Sequence, residues 1–318
     1  MTAEGTTTEG TAAEVRAGDA ATEVPATRLP AGIRSGPVTV APVRLAGGGP
    51  AHYARAVRVI WQREVLRFMG DRTRIISGLI QPFLFLFVLG TGLSKVVAHT
   101  NGVDYRTFLF PGVVAVSVLF TAIFSGISIV WDREFGFLRE MLVAPVRRSA
   151  IVVGKCLGGA TTASLQGVIL LAIGGLVGVP YAPLLLLGML GLMLLTSFAI
   201  TALGLVLAAR IKTIQAAMPL VQMALAPMMF LSGALYPIGN LPTWLQVLTR
   251  INPVTYAVEA MRALVFSYLT IDSATRATLD PGVTWGGWRV PGGLDVVLVV
   301  VLSLILLAGA CLLFRKAE

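Results

Sequence analysis

CLGGATTASLQGVILLAIGGLVGVPYAPLLLLGMLGLMLLTSFAITALGLVLAA, residues 156–209, runs for 54 residues without one charged side chain. As a single helix it would reach about 80 Å at 1.5 Å per residue, against a hydrocarbon core about 30 Å thick. It must therefore fold back, and Gly178-Val179-Pro180-Tyr181-Ala182-Pro183 carries the turn chemistry to do so. The result is two spans, 151–179 and 184–209. In lipid every backbone polar group has to be satisfied internally, which points to helices.

Outward from this pair, further apolar runs predict spans at 75–97, 108–130, 214–234 and 294–314, six in all. The first is uncharged before Lys95, and Gln81-Pro82 should kink it. The fold class read from this pattern is an all-α membrane protein, with its permease domain over 75–318. Composition agrees. The chain is 56% hydrophobic and 13% charged, where a soluble domain carries roughly 25% charged residues, and its mean hydropathy is +0.82.

The net charge is +9, and its distribution decides what it means. Nineteen of the 25 Lys and Arg fall in 1–74, 131–155, 210–212 and 315–316, and six fall on the other side. Such asymmetry orients the chain with both termini cytoplasmic and basic segments against the anionic inner leaflet. Membrane lipid, not nucleic acid, is the partner implied. Cys156 and Cys311 lie within or at the edge of spans and read as small buried hydrophobes. His52 and His99 have no ligand at helical spacing, so no metal site is expected.

Residues 1–51, rich in Thr, Ala, Glu, Gly and Pro and without an aromatic, read as a disordered cytoplasmic tail lacking the apolar core of a secretory signal. Over 52–74 the pattern changes. Val57, Ile60, Trp61, Val65 and Phe68 share one side of a helix, and Arg55, Gln62, Arg63 and Arg67 share the other. Glu64 interrupts the apolar stripe. This is the signature of an amphipathic helix lying in the membrane interface. Gly154/Gly158 and Gly174/Gly178 have the small-x-x-x-small spacing that permits close helix contacts.

Two segments are not explained by spanning. In WDREFGFLREMLVAPVRRSA (131–150), Phe135, Leu138, Met141 and Leu142 form one helical face, and Asp132, Arg133, Arg139 and Glu140 lie opposite. Pro145 stops the helix. Glu134 falls on the apolar side, where it suits a cationic pocket better than lipid. The segment reads either as a lever docking into a groove on a cytosolic protein or as a second interfacial helix. After the fifth span, short helices at 242–248 and 254–268 flank Asn252-Pro253. Glu259 and Arg262, three apart, argue against a seventh span, since one charge at the bilayer centre costs at least about 2.5 kcal/mol. A re-entrant hairpin with the two paired, or an amphipathic surface helix, accounts for them. Trp285 and Trp288 read as interface anchors.

The chain has no phosphate-binding loop: Gly154-Lys155 is followed by Cys156 and lacks the upstream glycine. The span interiors lack the ionisable relays of proton-coupled carriers. No nucleophile elbow, paired catalytic carboxylates or metal cluster occurs, so no catalytic residue is expected and enzyme is a weak class.

FPGVVAVSVLFTAIFSGISIVWDREFGFLREMLVAPVRRSAIVVGK (110–155) and INPVTYAVEAMR (251–262) resemble the type 2 ATP-binding-cassette exporter permeases, especially the daunorubicin-resistance branch, with similarity over roughly 55–316. The resemblance implies a multi-pass subunit of a bacterial plasma-membrane exporter, working as a homodimer or with a paralogous permease, on two copies of a cytosolic ATPase. That partner would bind ATP and Mg; this chain would carry no cofactor. The ATPase-coupling helix implied comprises Arg133, Glu134, Phe135, Gly136, Leu138, Arg139, Glu140, Leu142 and Pro145. Asn252, Pro253, Tyr256, Glu259 and Arg262 would form a re-entrant outer gate. The fifth span would line the exit route, and thioether and aromatic surfaces suit varied ligands, which singles out Met223, Met228, Met229 and Phe230. The implied substrates are small, amphipathic, often cationic and drug-like. Export of a lipid or polysaccharide carrier, and a non-transporting scaffold or sensor, are the alternatives.

Overall fold

Helices dominate the architecture, in the order the hydropathy pattern predicts. The computed structural model describes residues 49–94, 104–137, 147–239, 241–270, 279, 282–285 and 288–316. Helix α1 (Pro50–Gly70) begins with proline in its first turn, where the missing N–H costs nothing. Asp71 then separates it from α2 (Arg72–Ser94) and caps α2 by accepting the Arg74 N–H at 3.0 Å. Directly after Pro82 the α2 ladder becomes π-helical over Leu84–Leu89. The ring removes a donor and crowds the preceding turn, and a wider turn absorbs both defects.

Helix α3 (Tyr105–Glu134) is capped by Asp104 and ends where Gly136 adopts φ 81, the left-handed conformation that favours glycine after a helix. Helix α4 (Arg148–Val177) closes with a 3₁₀ turn and with Gly178 at φ 82. The Tyr181 hydroxyl fastens that end, donating to the Ala172 carbonyl at 2.6 Å and accepting the Gly175 N–H at 2.9 Å. Helices α5 (Pro183–Ala208), α6 (Ile214–Phe230), α7 (Thr243–Ile251) and α8 (Pro253–Ser267) follow. A two-residue antiparallel ladder, β1 (Thr284–Trp285) with β2 (Trp288–Arg289), precedes α9 (Gly292–Lys316).

Among the described residues five helices, α2 to α5 and α9, are long and apolar enough to cross a membrane. The span expected at 214–234 is the shorter α6. Its 17 residues reach about 25 Å, and Gly233 at φ 69 turns the chain just beyond it.

Helix α3 is the hub. It is buried on every side, against α4, α5, α6 and α8. Its contact with α5 is set by two glycines: a Cβ on Gly126 would lie 2.4 Å from the Thr201 carbonyl oxygen, and one on Gly204 would lie 2.8 Å from that of Ile123. Backbones this near admit no side chain between them. Gly154 and Gly158 make the seat for α1, since a Cβ there would meet Ile60 at 2.8 Å and Glu64 at 2.6 Å.

Helix α8 is not an amphipathic surface helix. Residues 254–262 are all buried, which covers every direction around it, and it packs on α9, α3 and α5.

Candidate functional site

The end of the bundle where α3 stops and α4 starts gathers the basic side chains, and successive residues of α3 tie the helices together there. Asp132 Oδ2 receives Lys155 Nζ from α4 at 2.7 Å and Arg63 from α1 at 2.9 Å. Arg67 approaches its other oxygen at 3.6 Å. Lys155 is wholly enclosed and also donates to Glu64 Oε1 of α1 at 3.0 Å and to Ser128 Oγ at 2.9 Å. Arg63 completes the ring with Glu64 at 3.1 Å. Burial alone would push the Glu64 carboxyl up, but Lys155 and Arg63 together hold it below the ordinary carboxylate range. Burial opposes the charge on Arg63, and Asp132 and Glu64 outweigh it, raising that guanidinium further. Glu64 thus does not break the α1 stripe; it is the polar centre of the face that docks on α4.

The next two residues reach the other way. Arg133 donates to the carbonyls of Ala208, Ala209 and Ile211 at the end of α5, where backbone acceptors run out of intrahelical donors. Glu134 Oε2 accepts the Ile214 N–H at 2.7 Å, the first turn of α6. Glu134 is exposed, and one oxygen of the carboxylate expected to face a cationic partner pocket is taken by this helix N-terminus. Beyond it the chain turns outward. Phe135 is 68% exposed and Phe137 50% exposed, an unusual state for aromatic rings flanking a charged cluster. Leu138, Arg139, Glu140, Met141, Leu142 and Pro145, expected to continue the lever, lie outside the described residues.

At the opposite end, Asn252 caps α8 by accepting the Val254 N–H at 3.1 Å and donates to the Met228 carbonyl at 2.8 Å, with Pro253 at the first helical position. Tyr256 donates to the Arg250 carbonyl at 2.6 Å. Arg262 pairs with Glu259 at 2.7 Å, donates to the Gly233 carbonyl at 2.7 Å and lies 4.4 Å from the centre of the Phe108 ring. One guanidinium therefore joins α8, α3 and the turn after α6, deep in protein rather than at a surface.

Met223, Met228, Met229 and Phe230 do not form one surface. Met223 and Phe230, seven apart, face outward, while Met229 is in the core, where its sulfur accepts from Gln81 of α2 at 3.9 Å.

Sequence order hides the ionic ring joining α1, α3 and α4, because Lys155 counts there as one more membrane-flanking cation. The signal that could have found it is Glu64, since a carboxylate on an apolar helix face requires a buried cation.

A bundle of long apolar helices, pinned by enclosed ion pairs at both ends and ending in exposed aromatics beside a basic surface, defines a polytopic membrane protein. Residues 55–266 match the ABC-2 type transporter family, and the chain belongs to that family. It is thus a membrane transporter subunit, and membership implies an ATP-binding-cassette ATPase as its partner. The chain is 30% identical over 217 residues to Nodulation protein J of Rhizobium leguminosarum bv. trifolii, covering 67% of this chain and 82% of that protein. It is 29% identical over 211 residues to the putative transport permease ycf38 of Cyanophora paradoxa, covering 65% and 72%. With the probable multidrug ABC transporter permease YbhR of Escherichia coli K12 it shares 30% identity over 180 residues, covering 55% and 48%.

Proposed function

We propose that this chain is the permease of an exporter that moves a hydrophobic or amphipathic substrate outward, driven by ATP hydrolysed on two copies of a separate subunit. It works as a homodimer or beside a paralogous permease in a bacterial plasma membrane, with both termini and the basic end cytoplasmic. The observation that supports this reading best is the arrangement around Phe135. Two exposed rings follow three residues whose side chains are bonded to other helices. A push received at Phe135 and Phe137 passes through Asp132 to α1 and α4, and through Arg133 and Glu134 to the α5–α6 junction. The rings supply an apolar grip for a groove on the ATPase, and α6, with Met223 and Phe230 outward, borders the route.

The test is Phe135→Asp in proteoliposomes holding both subunits. Insertion and thermal stability should match the parent, because Phe135 has no buried contact to lose, while ATPase co-purification and substrate-stimulated hydrolysis drop about tenfold or more, as expected when a buried aromatic anchor is lost. Unchanged coupling in Phe135→Asp and in Phe137→Asp would overturn the lever assignment.

A further inference from the structure

Helices α2, α3 and α4 line a half-open cavity of about 380 Å³, within the roughly 300–1,000 Å³ range of pockets that hold small ligands. Its long wall is α3, from Ser117 to Trp131, about 21 Å of helix at 1.5 Å per residue. Trp131 and Arg74 stand at the basic end. Phe120 and Phe124 line the middle, and Ser117 and Gln166 close the deep end. Arg74 is the only charged residue among the twelve that line it. It makes no salt bridge with a described residue, and its guanidinium lies 6.0 Å from the centre of the Phe68 ring.

The deep end is built to hold polar atoms. Gln166 is buried, and its Oε1 accepts from Thr121 at 2.7 Å. A Cβ on Gly78 would lie 2.4 Å from the Gln166 Nε2, so glycine there leaves the amide its place. Ser117 is buried as well, and its Oγ has no hydrogen-bond partner among the described residues. An enclosed hydroxyl without a partner normally costs free energy, and a ligand at the site would remove that penalty.

We propose that this cavity binds a single-chain amphiphile with an anionic headgroup. The headgroup sits at Arg74 near the membrane surface, the chain runs along Phe120 and Phe124, and a polar group on the chain reaches Ser117. A cationic occupant would meet Arg74 as a like charge, so the site departs from the cationic drug-like expectation. This deepens the exporter reading by naming a substrate class, and it rests on that reading only in calling the occupant cargo.

The experiment uses the full chain in proteoliposomes without its ATPase, so failure of binding stays distinct from failure of transport. Chain-brominated fatty-acid anion is titrated in, in parallel with the same brominated chain bearing a phosphocholine head. Trp131 quenching is read as the difference between the wild type and Trp131→Phe. The anion should saturate at about tenfold lower mole fraction, the scale of one charge-assisted hydrogen bond. Arg74→Gln should erase that preference and Arg74→Lys retain most of it. Ser117→Leu, which fills the deep end, should abolish saturation with both. Competition by unbrominated phosphatidylglycerol, a two-chain bilayer lipid, would overturn the single-chain assignment; resistance to it would support it. Equal quenching by the two head groups, or a preference surviving Arg74→Gln, would overturn the proposal.

Discussion

Replacing Lys155 by methionine keeps the length and apolar stem of the side chain and removes only its charge. In the parent, Lys155 is enclosed with two carboxylates at 2.7 and 3.0 Å. Deleting one partner of a buried ion pair typically costs about 3–5 kcal/mol, because the other charge stays behind undischarged. Here Arg63 still reaches both Asp132 and Glu64, and Arg67 still faces Asp132. The lower figure of about 3 kcal/mol therefore applies. At roughly 2–4 °C per kcal/mol for a domain of this order of size, the transition should fall by about 6–12 °C. The assay is heat treatment of detergent-purified protein followed by fluorescence-detected size exclusion, on Lys155→Met, Glu64→Gln and the double variant. Glu64→Gln should cost markedly less in the Lys155→Met background than in the parent, a coupling of about 1 kcal/mol or more. A Lys155→Met transition within about 2 °C of the parent, or additive single effects, would refute the claim that this ring fastens α1 to the bundle.

Other outcomes follow from the same geometry. Gly126→Ala forces a methyl against the α5 backbone and should destabilise by about 1–3 kcal/mol, while Gly191→Ala, with nothing within 4 Å of its Cβ position, should be neutral or stabilising by up to about 1 kcal/mol; thermal shifts of the pair compare them directly. Arg262→Met removes the cation that faces Glu259 at 2.7 Å in the core, and Arg262→Lys should recover little, because an ammonium cannot serve Glu259, the Gly233 carbonyl and the Phe108 face together; both are read as loss of monodisperse protein after extraction. Because the Glu64 carboxyl is held below its ordinary value of 4.5, its contribution is fully present above that pH and is lost as pH falls through the lower folded value. Acid should loosen the α1–α4 seam, visible as a red shift of Trp61, whose indole N–H donates to Thr161 at 2.9 Å, with a smaller acid response in Glu64→Gln.

The fold class and five of the six expected spans were legible because apolar runs of this length suit a bilayer and little else, and the turn at 178–183 follows from its glycine and prolines. The pairing of Glu259 with Arg262 was legible too, being local at three residues' spacing. What escaped was whatever depends on residues far apart in the chain. Lys155 meets Glu64 across 91 positions and Asp132 across 23, and no periodicity links them. Helix α8 reads as amphipathic on charge alone, but its two charges neutralise each other and protein surrounds them. The contact of Glu134 with a helix N-terminus 80 residues later likewise leaves no trace in its own neighbourhood. Of the Met and Phe positions in α6, only helical phase separates Met229 from Met223 and Phe230, and sequence does not say which phase faces out.

The backbone contact between Gly126 and Gly204 has a consequence for movement. Two helices touching through main-chain atoms cannot slide or rotate against each other without separating, so α3 and α5 travel as one strut. Outside that pair, shape change during a transport cycle falls to helices that carry their own prolines: α2, with its wide turn after Pro82, and α6, with Pro219 and Pro227 inside it.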